Sequence, residues 1–155
     1  MATFNTEGLE DLAYAFLRQE QKATEAINAM LDAQTEIYVE EQQKAARQYG
    51  IYKTGGFVAS LKAGKTQTEG TQIYREIMPE GRAAHKADYG GGSSKRKGKA
   101  QQGNVRYATI GYIFEYGTSS MAARPWLTKG NNAASEKAYT KAYEIWSQYV
   151  DDSFS

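Results

Sequence analysis

The residues that could do chemistry are few. Glu115 and Arg124 stand nine positions apart across the glycine loop of "YIFEYGTSSMAARPWL", an acid and a base that a fold could bring together. The one histidine, His85, is followed by Asp88, but no serine lies in a nucleophile-elbow pattern and no partner stands at metal-ligand spacing. Glu40–Glu41 and Asp151–Asp152 are adjacent pairs, which on a helix diverge instead of sharing a site. "AGKT" at 63–66 ends like a phosphate-binding loop, yet position 59 is alanine where that motif has glycine, and no buried strand leads in. The triple glycine at 90–92 lacks the spacing and context of a dinucleotide fingerprint. With no cysteine, disulfides, zinc–thiolate sites and cysteine nucleophiles are excluded. The residues therefore point to no catalytic set, no metal and no cofactor, and the expectation is a protein that is not an enzyme.

One charge feature stands out. The net charge is +1, but the segment from Tyr89 to Phe114 carries five bases and no acid, leaving −4 on the remainder. Four of those bases, Lys95, Arg96, Lys97 and Lys99, sit in "GGGSSKRKGKAQQG", Gly90–Gly103, a flexible loop by composition. Such a run is either a solvated loop tip or a surface for sequence-independent contact with phosphates. No aromatic residue is interleaved, so stacking on single strands is not suggested.

These groups need elements to position them. From Leu9 to Tyr49 there is no glycine or proline, and Leu9, Leu12, Phe16, Ala23, Ile27, Met30, Ile37 and Tyr38 recur at helical steps. Thr6 reads as the N-cap and Gly50 as the C′ stop. An unbroken helix there would be on the order of 60 Å long, too long for a body of this size to cover. It either breaks near Gln34, where the stripe turns polar, or packs partly on another subunit. "YKTGGFVASLKAG" reads as a turn and short helix with Phe57, Leu61 and Val58 inward, and Thr71–Gly81 as a strand, with Arg82–Tyr89 as its returning partner. Asn104–Gly117 fits helix and strand alike, and a helix ending near Gly117 is the favoured reading. A last helix, capped at Asn131 or Asn132, carries Ala138, Tyr139, Ala142, Tyr143, Ile145, Trp146, Tyr149 and Val150 as its stripe.

The length suits one domain, residues 1–155. No apolar run is long enough to span a bilayer, and "MATFNTEGLEDL" lacks the features of a signal peptide, so the expected place of synthesis is the cytoplasm with no membrane partner. Twelve tyrosines is a high number for this length; with Tyr139, Tyr143 and Trp146 on the last helix and few aliphatic residues to complete a core, they favour subunit packing.

The stretch from Tyr112 to Leu127 also carries a resemblance. Glu115-Tyr116-Gly117-Thr118, a short spacer, Ala123-Arg124-Pro125-Trp126-Leu127 and a C-terminal amphipathic helix resemble the gene-product-ten-like family of tailed-phage head–tail joining proteins, also described as tail-completion or neck proteins. Thr54, Gly55, Ser60 and Leu61 match that family's upstream segment, and the order of elements agrees. Trp126 departs from it, since phenylalanine is commoner there, and so does the long basic loop. The resemblance implies an α+β subunit: a long N-terminal helix, a small antiparallel sheet with a long flexible loop, and a C-terminal helix packed on the sheet. It implies a virion protein forming a ring with itself, expected to be a hexamer, at the neck. The head connector or head-completion protein would lie on one side and the tail tube protein on the other, with DNA passing through the lumen. Tail-terminator and head-closure positions are both compatible with it. A small nucleic-acid-binding module using the basic loop is the alternative of another class.

In that setting Glu115, Tyr116, Gly117, Thr118, Arg124, Pro125, Trp126 and Leu127 read as an assembly junction. Gly117 can take a positive-φ turn, Pro125 biases Arg124 toward extended backbone, and Trp126 and Leu127 anchor the segment before the last helix. Glu115 and Arg124 would pair with each other or across a subunit boundary.

Overall fold

The computed structural model describes residues 7–51, 55–83 and 105–154. Thr6, Thr54, His85, most of the expected returning strand and all four bases of the 90–103 loop lie outside the described residues.

The first helix, α1 (Glu7–Gln48), is continuous. The expected break near Gln34 does not occur. Thr35, the neighbouring polar position, is buried and its hydroxyl donates to the Leu31 carbonyl, so the helix absorbs this polarity internally. The helix stops as Gly50 predicts: φ is +73°, the Gly50 N–H donates to the Arg47 carbonyl and the Ile51 N–H to the Ala46 carbonyl. Ile51 and Ala46 are both buried in the core, which completes this C-terminal motif with its apolar contact.

After the turn, α2 (Gly56–Ser60) buries Phe57 and Val58, as expected. The strands differ from the expectation. Leu61–Glu69 turns back on Gln72–Pro79, giving β1 (Leu61–Ala63) paired antiparallel with β4 (Ile77–Pro79), and β2 (Gln67–Glu69) with β3 (Gln72–Tyr74). Leu61 faces Pro79, Ala63 faces Ile77 and Glu69 faces Gln72. Gly64, Lys65 and Thr66 oppose only Arg75 and Glu76, so the extra residue interrupts the ladder between its two halves. The partner of the expected strand thus lies upstream. Of the downstream segment, Arg82 bridges to Arg106 instead.

Helix α3 (Tyr107–Tyr116) ends at Gly117, as expected. The last helix, α4 (Trp126–Phe154), begins about a turn and a half before the expected Asn131 or Asn132 cap. Asn131 is instead an interior position whose amide oxygen accepts from the Gln42 side chain at 2.8 Å. The class is mixed α+β, with the long first helix, a small antiparallel region and the C-terminal helix all present. α4 runs antiparallel along α1, and the core gathers where the C-terminal end of α1, α2, α3 and the start of α4 converge on Phe57, Leu61, Ile110, Phe114 and Trp126. Among the described residues no helix is long and apolar enough to cross a membrane.

Candidate functional site

The junction residues come together at this convergence. α3 stops because Gly117 takes φ +75°, with its N–H on the Ile113 carbonyl at 2.8 Å. The chain then doubles back through a turn in which Thr118 and Met121 exchange backbone hydrogen bonds. A Cβ at position 117 would lie 2.7 Å from both the Ala123 nitrogen and the Met121 oxygen, so only glycine fits the return. Arg124 donates its N–H to the Phe114 carbonyl at 2.6 Å. Pro125 comes next, and its carbonyl accepts the α4 hydrogen bond from Lys129 at 3.1 Å.

Glu115 and Arg124 do not pair with each other; each meets the end of a different helix. The Glu115 carboxylate, 7% exposed, accepts the N–H of Leu127 at 2.7 Å and of Thr128 at 3.1 Å, and also the Thr128 hydroxyl. It caps the first turn of α4 with a negative charge where the helix dipole is positive. Arg124 reaches the other way. Its Nη1 donates to the Tyr49 carbonyl at 3.4 Å, just past the C-terminal end of α1, where a positive charge is favoured. Its guanidinium lies 5.6 Å from the centre of the Phe114 ring.

Trp126 ties the same corner from inside. Its indole N–H donates to the Gly111 carbonyl at 3.0 Å, and its ring stands at 90° to that of Phe57 with centres 5.0 Å apart. A Cβ on Gly111 would come within 3.2 Å of both rings, so the missing side chain lets α3 approach this pair. Leu127 is partly buried against the same core. Of the eight junction residues, Thr118 and Tyr116 are exposed, and Tyr116 tilts against Tyr112, one turn earlier, with ring centres 4.7 Å apart.

A second aromatic face lies on α4. Ala134, Ala138 and Ala142 are buried against α1, whereas Tyr139, Tyr143 and Trp146 are exposed. The expected single stripe is therefore two. Tyr139 and Tyr143 each come one position after a buried alanine, which turns them about 100° away from the seam. Sequence reasoning missed the seam itself: a Cβ on Gly130 would lie 2.6 Å from the Gln42 Cα, so the two helix backbones touch there. The i, i+4, i+8 spacing of Ala134, Ala138 and Ala142 was the available signal. Tyr14 and Leu17 on α1 were also missed as exposed apolar residues.

Charge supports the seam. Lys137, from α4, approaches Glu41 at 2.8 Å, and Lys44 approaches it at 3.0 Å. Lys137 first, then Lys44, hold the Glu41 carboxylate below the usual carboxylate range. A groove of about 540 Å³ lies between the middle of α1 and β1. Arg75 closes one side of it, donating to the Thr66 hydroxyl at 2.8 Å and pairing with Asp32. Among the described residues, no group of three or more His, Asp or Glu side chains could hold a metal ion.

Compared with known proteins, the chain matches no family model, no curated protein and no solved structure.

Proposed function

We propose that this chain is a structural virion protein of a tailed bacteriophage or prophage, a ring-forming neck subunit of the tail-completion or tail-terminator type. The observation that carries the reading is the outward aromatic face of α4. Tyr139, Tyr143 and Trp146 stand exposed at i, i+4 and i+7 on a helix whose buried side is made of alanines. A contiguous aromatic stripe of this kind marks a surface made to be covered. The phage assignment rests on the resemblance carried by Glu115–Thr118 and Ala123–Leu127. The junction these residues build gives that motif a physical purpose, because it ties α3 to the start of α4, the two helices that carry the exposed aromatic residues.

In this reading the subunit forms a hexameric ring between the head connector and the tail tube protein, and the basic residues Lys95–Lys99 meet DNA in the lumen or a partner's acidic surface. Native mass spectrometry and negative-stain imaging of the purified protein, alone and with cognate connector and tail tube proteins, test it. Rings or a specific complex are the expected result. A compact monomer at high concentration that binds neither protein overturns the reading.

A further inference from the structure

The β2–β3 ribbon leaves an open strand edge. The two strands form a sheet of their own, so among the described residues β2 has no strand on its outer side. Gln67, Thr68 and Glu69 are all exposed. The two-residue loop Gly70–Thr71, with Gly70 at φ +60°, makes Glu69 and Gln72 a hydrogen-bonded pair. Gln67 and Tyr74 are the next such pair, so the N–H and C=O of Thr68 point away from β3. Thr66 continues the register, because its hydroxyl meets Arg75, the residue after Tyr74. Its backbone groups point outward by the same alternation. Among the described residues, no backbone hydrogen bond reaches these outward groups of Thr66 and Thr68. Arg75 also pairs with Asp32, which holds the base of the ribbon on α1.

The side chains along this edge are complementary to themselves. Lys65-Thr66-Gln67-Thr68-Glu69 runs base, threonine, amide, threonine, acid. Laid antiparallel on a second copy about Gln67, it sets Lys65 opposite Glu69, Thr66 opposite Thr68 and Gln67 opposite Gln67. In this register the outward backbone groups of Thr66 and Thr68 face each other and can exchange hydrogen bonds. Opposite charges and threonines that face across strands both stabilise a sheet. Lys65 and Glu69 are exposed, and neither has an ion-pair partner among the described residues. The same charges disfavour other arrangements. In-register parallel pairing faces lysine with lysine and glutamate with glutamate, and an antiparallel slip of two residues leaves both charges unmatched. We propose that two copies of the chain join through their β2 edges, antiparallel about Gln67, into one continuous sheet ordered β3–β2–β2–β3. The contact uses the same patch on both copies, so it is two-fold and closes as a pair. It goes beyond the ring reading: a ring whose subunits also pair in this way becomes two rings back to back.

Sedimentation and native mass spectrometry of the full chain test the pairing, with unchanged helicity checked by circular dichroism. K65E and E69K each set like charges opposite one another at both ends of the contact and should weaken association about tenfold. Mixed in equal amounts they should recover it, because every glutamate again meets a lysine; damage to the fold by either change would not be rescued in this way. T68P removes an N–H that points away from β3, so the ribbon keeps its bonds while the pairing is lost. The wild type is expected at twice the mass of T68P. Since the chain has no cysteine, Q67C should give a disulfide-linked pair on mild oxidation, with its two thiols facing each other at the two-fold axis. Equal masses for the wild type and T68P overturn the pairing. So does a mixture of K65E and E69K that is no larger than either alone, or a Q67C chain that stays unlinked.

Discussion

Glu115 and Arg124 show how two side chains that look catalytic in sequence become structural through their surroundings. The acid sits at the positive end of α4 and the base at the negative end of α1, and each is held there by backbone groups of a helix end. Replacing Glu115 with alanine leaves the Leu127 and Thr128 N–H groups without their acceptor. The expected loss is about 1–2 kcal/mol of stability in urea unfolding. Glu115→Gln, which keeps one acceptor oxygen, should lose less. A loss no larger than that of the exposed Glu136→Ala would remove the capping role. Gly117→Ala meets both a left-handed backbone and a 2.7 Å approach to Met121 and Ala123, so it should cost about 1–3 kcal/mol or more. The junction was legible because Gly117 and Pro125 state local backbone rules. The partners of its charges were not, because Tyr49 is 75 positions from Arg124 and no local pattern links them.

Between elements, the seam of α1 and α4 depends on the absence of side-chain bulk. Gly130→Ala places a carbon 2.6 Å from the Gln42 backbone and should destabilise by about 1–3 kcal/mol, whereas the exposed Ala133→Leu should be nearly neutral. Equal effects in thermal melts would show that the helices are not in close contact. The seam also responds to pH. Because Glu41 is held below the usual value of 4.5 in the folded chain, its contribution is present above that value and is lost as pH falls through the folded value. Stability should therefore drop on acidification below about pH 4.5, and Lys137→Met, which removes the main cause, should flatten that part of the acid limb. The helices were legible from period and from Gly50 and Gly117. The hairpin was half legible: Thr71–Gly81 has strand character, but its partner, Leu61–Glu69, is polar and broken by Gly64. Its pairing comes from tertiary placement against α1, where Arg75 pairs with Asp32.

At the scale of the whole molecule, residues 14–18 of α1 are exposed, and Tyr112 and Tyr116 of α3 and Tyr139, Tyr143 and Trp146 of α4 point away from the core. The expected consequence is self-association that strengthens with concentration. Tyr112→Ser with Tyr116→Ser provides a further check. These side chains pack on each other at the surface, so the double substitution should leave folding intact and weaken assembly or partner binding, read by sedimentation. A change confined to stability would return the pair to a structural role.

By itself the sequence marked the two long helices, since helical period and glycine stops are rules of the local backbone, and the resemblance it carries implied the class; the start of the last helix it placed at Asn131 or Asn132 instead of Trp126. It also read the 112–127 stretch as a junction and the tyrosines as residues of subunit packing. Only the tertiary structure decided that α1 is unbroken, that alanines rather than tyrosines fill its seam with α4, and that Glu115 and Arg124 serve separate helix ends. Those outcomes depend on contacts between residues far apart in the chain. The balance of burial and charge at such contacts exists only once both sides are in place.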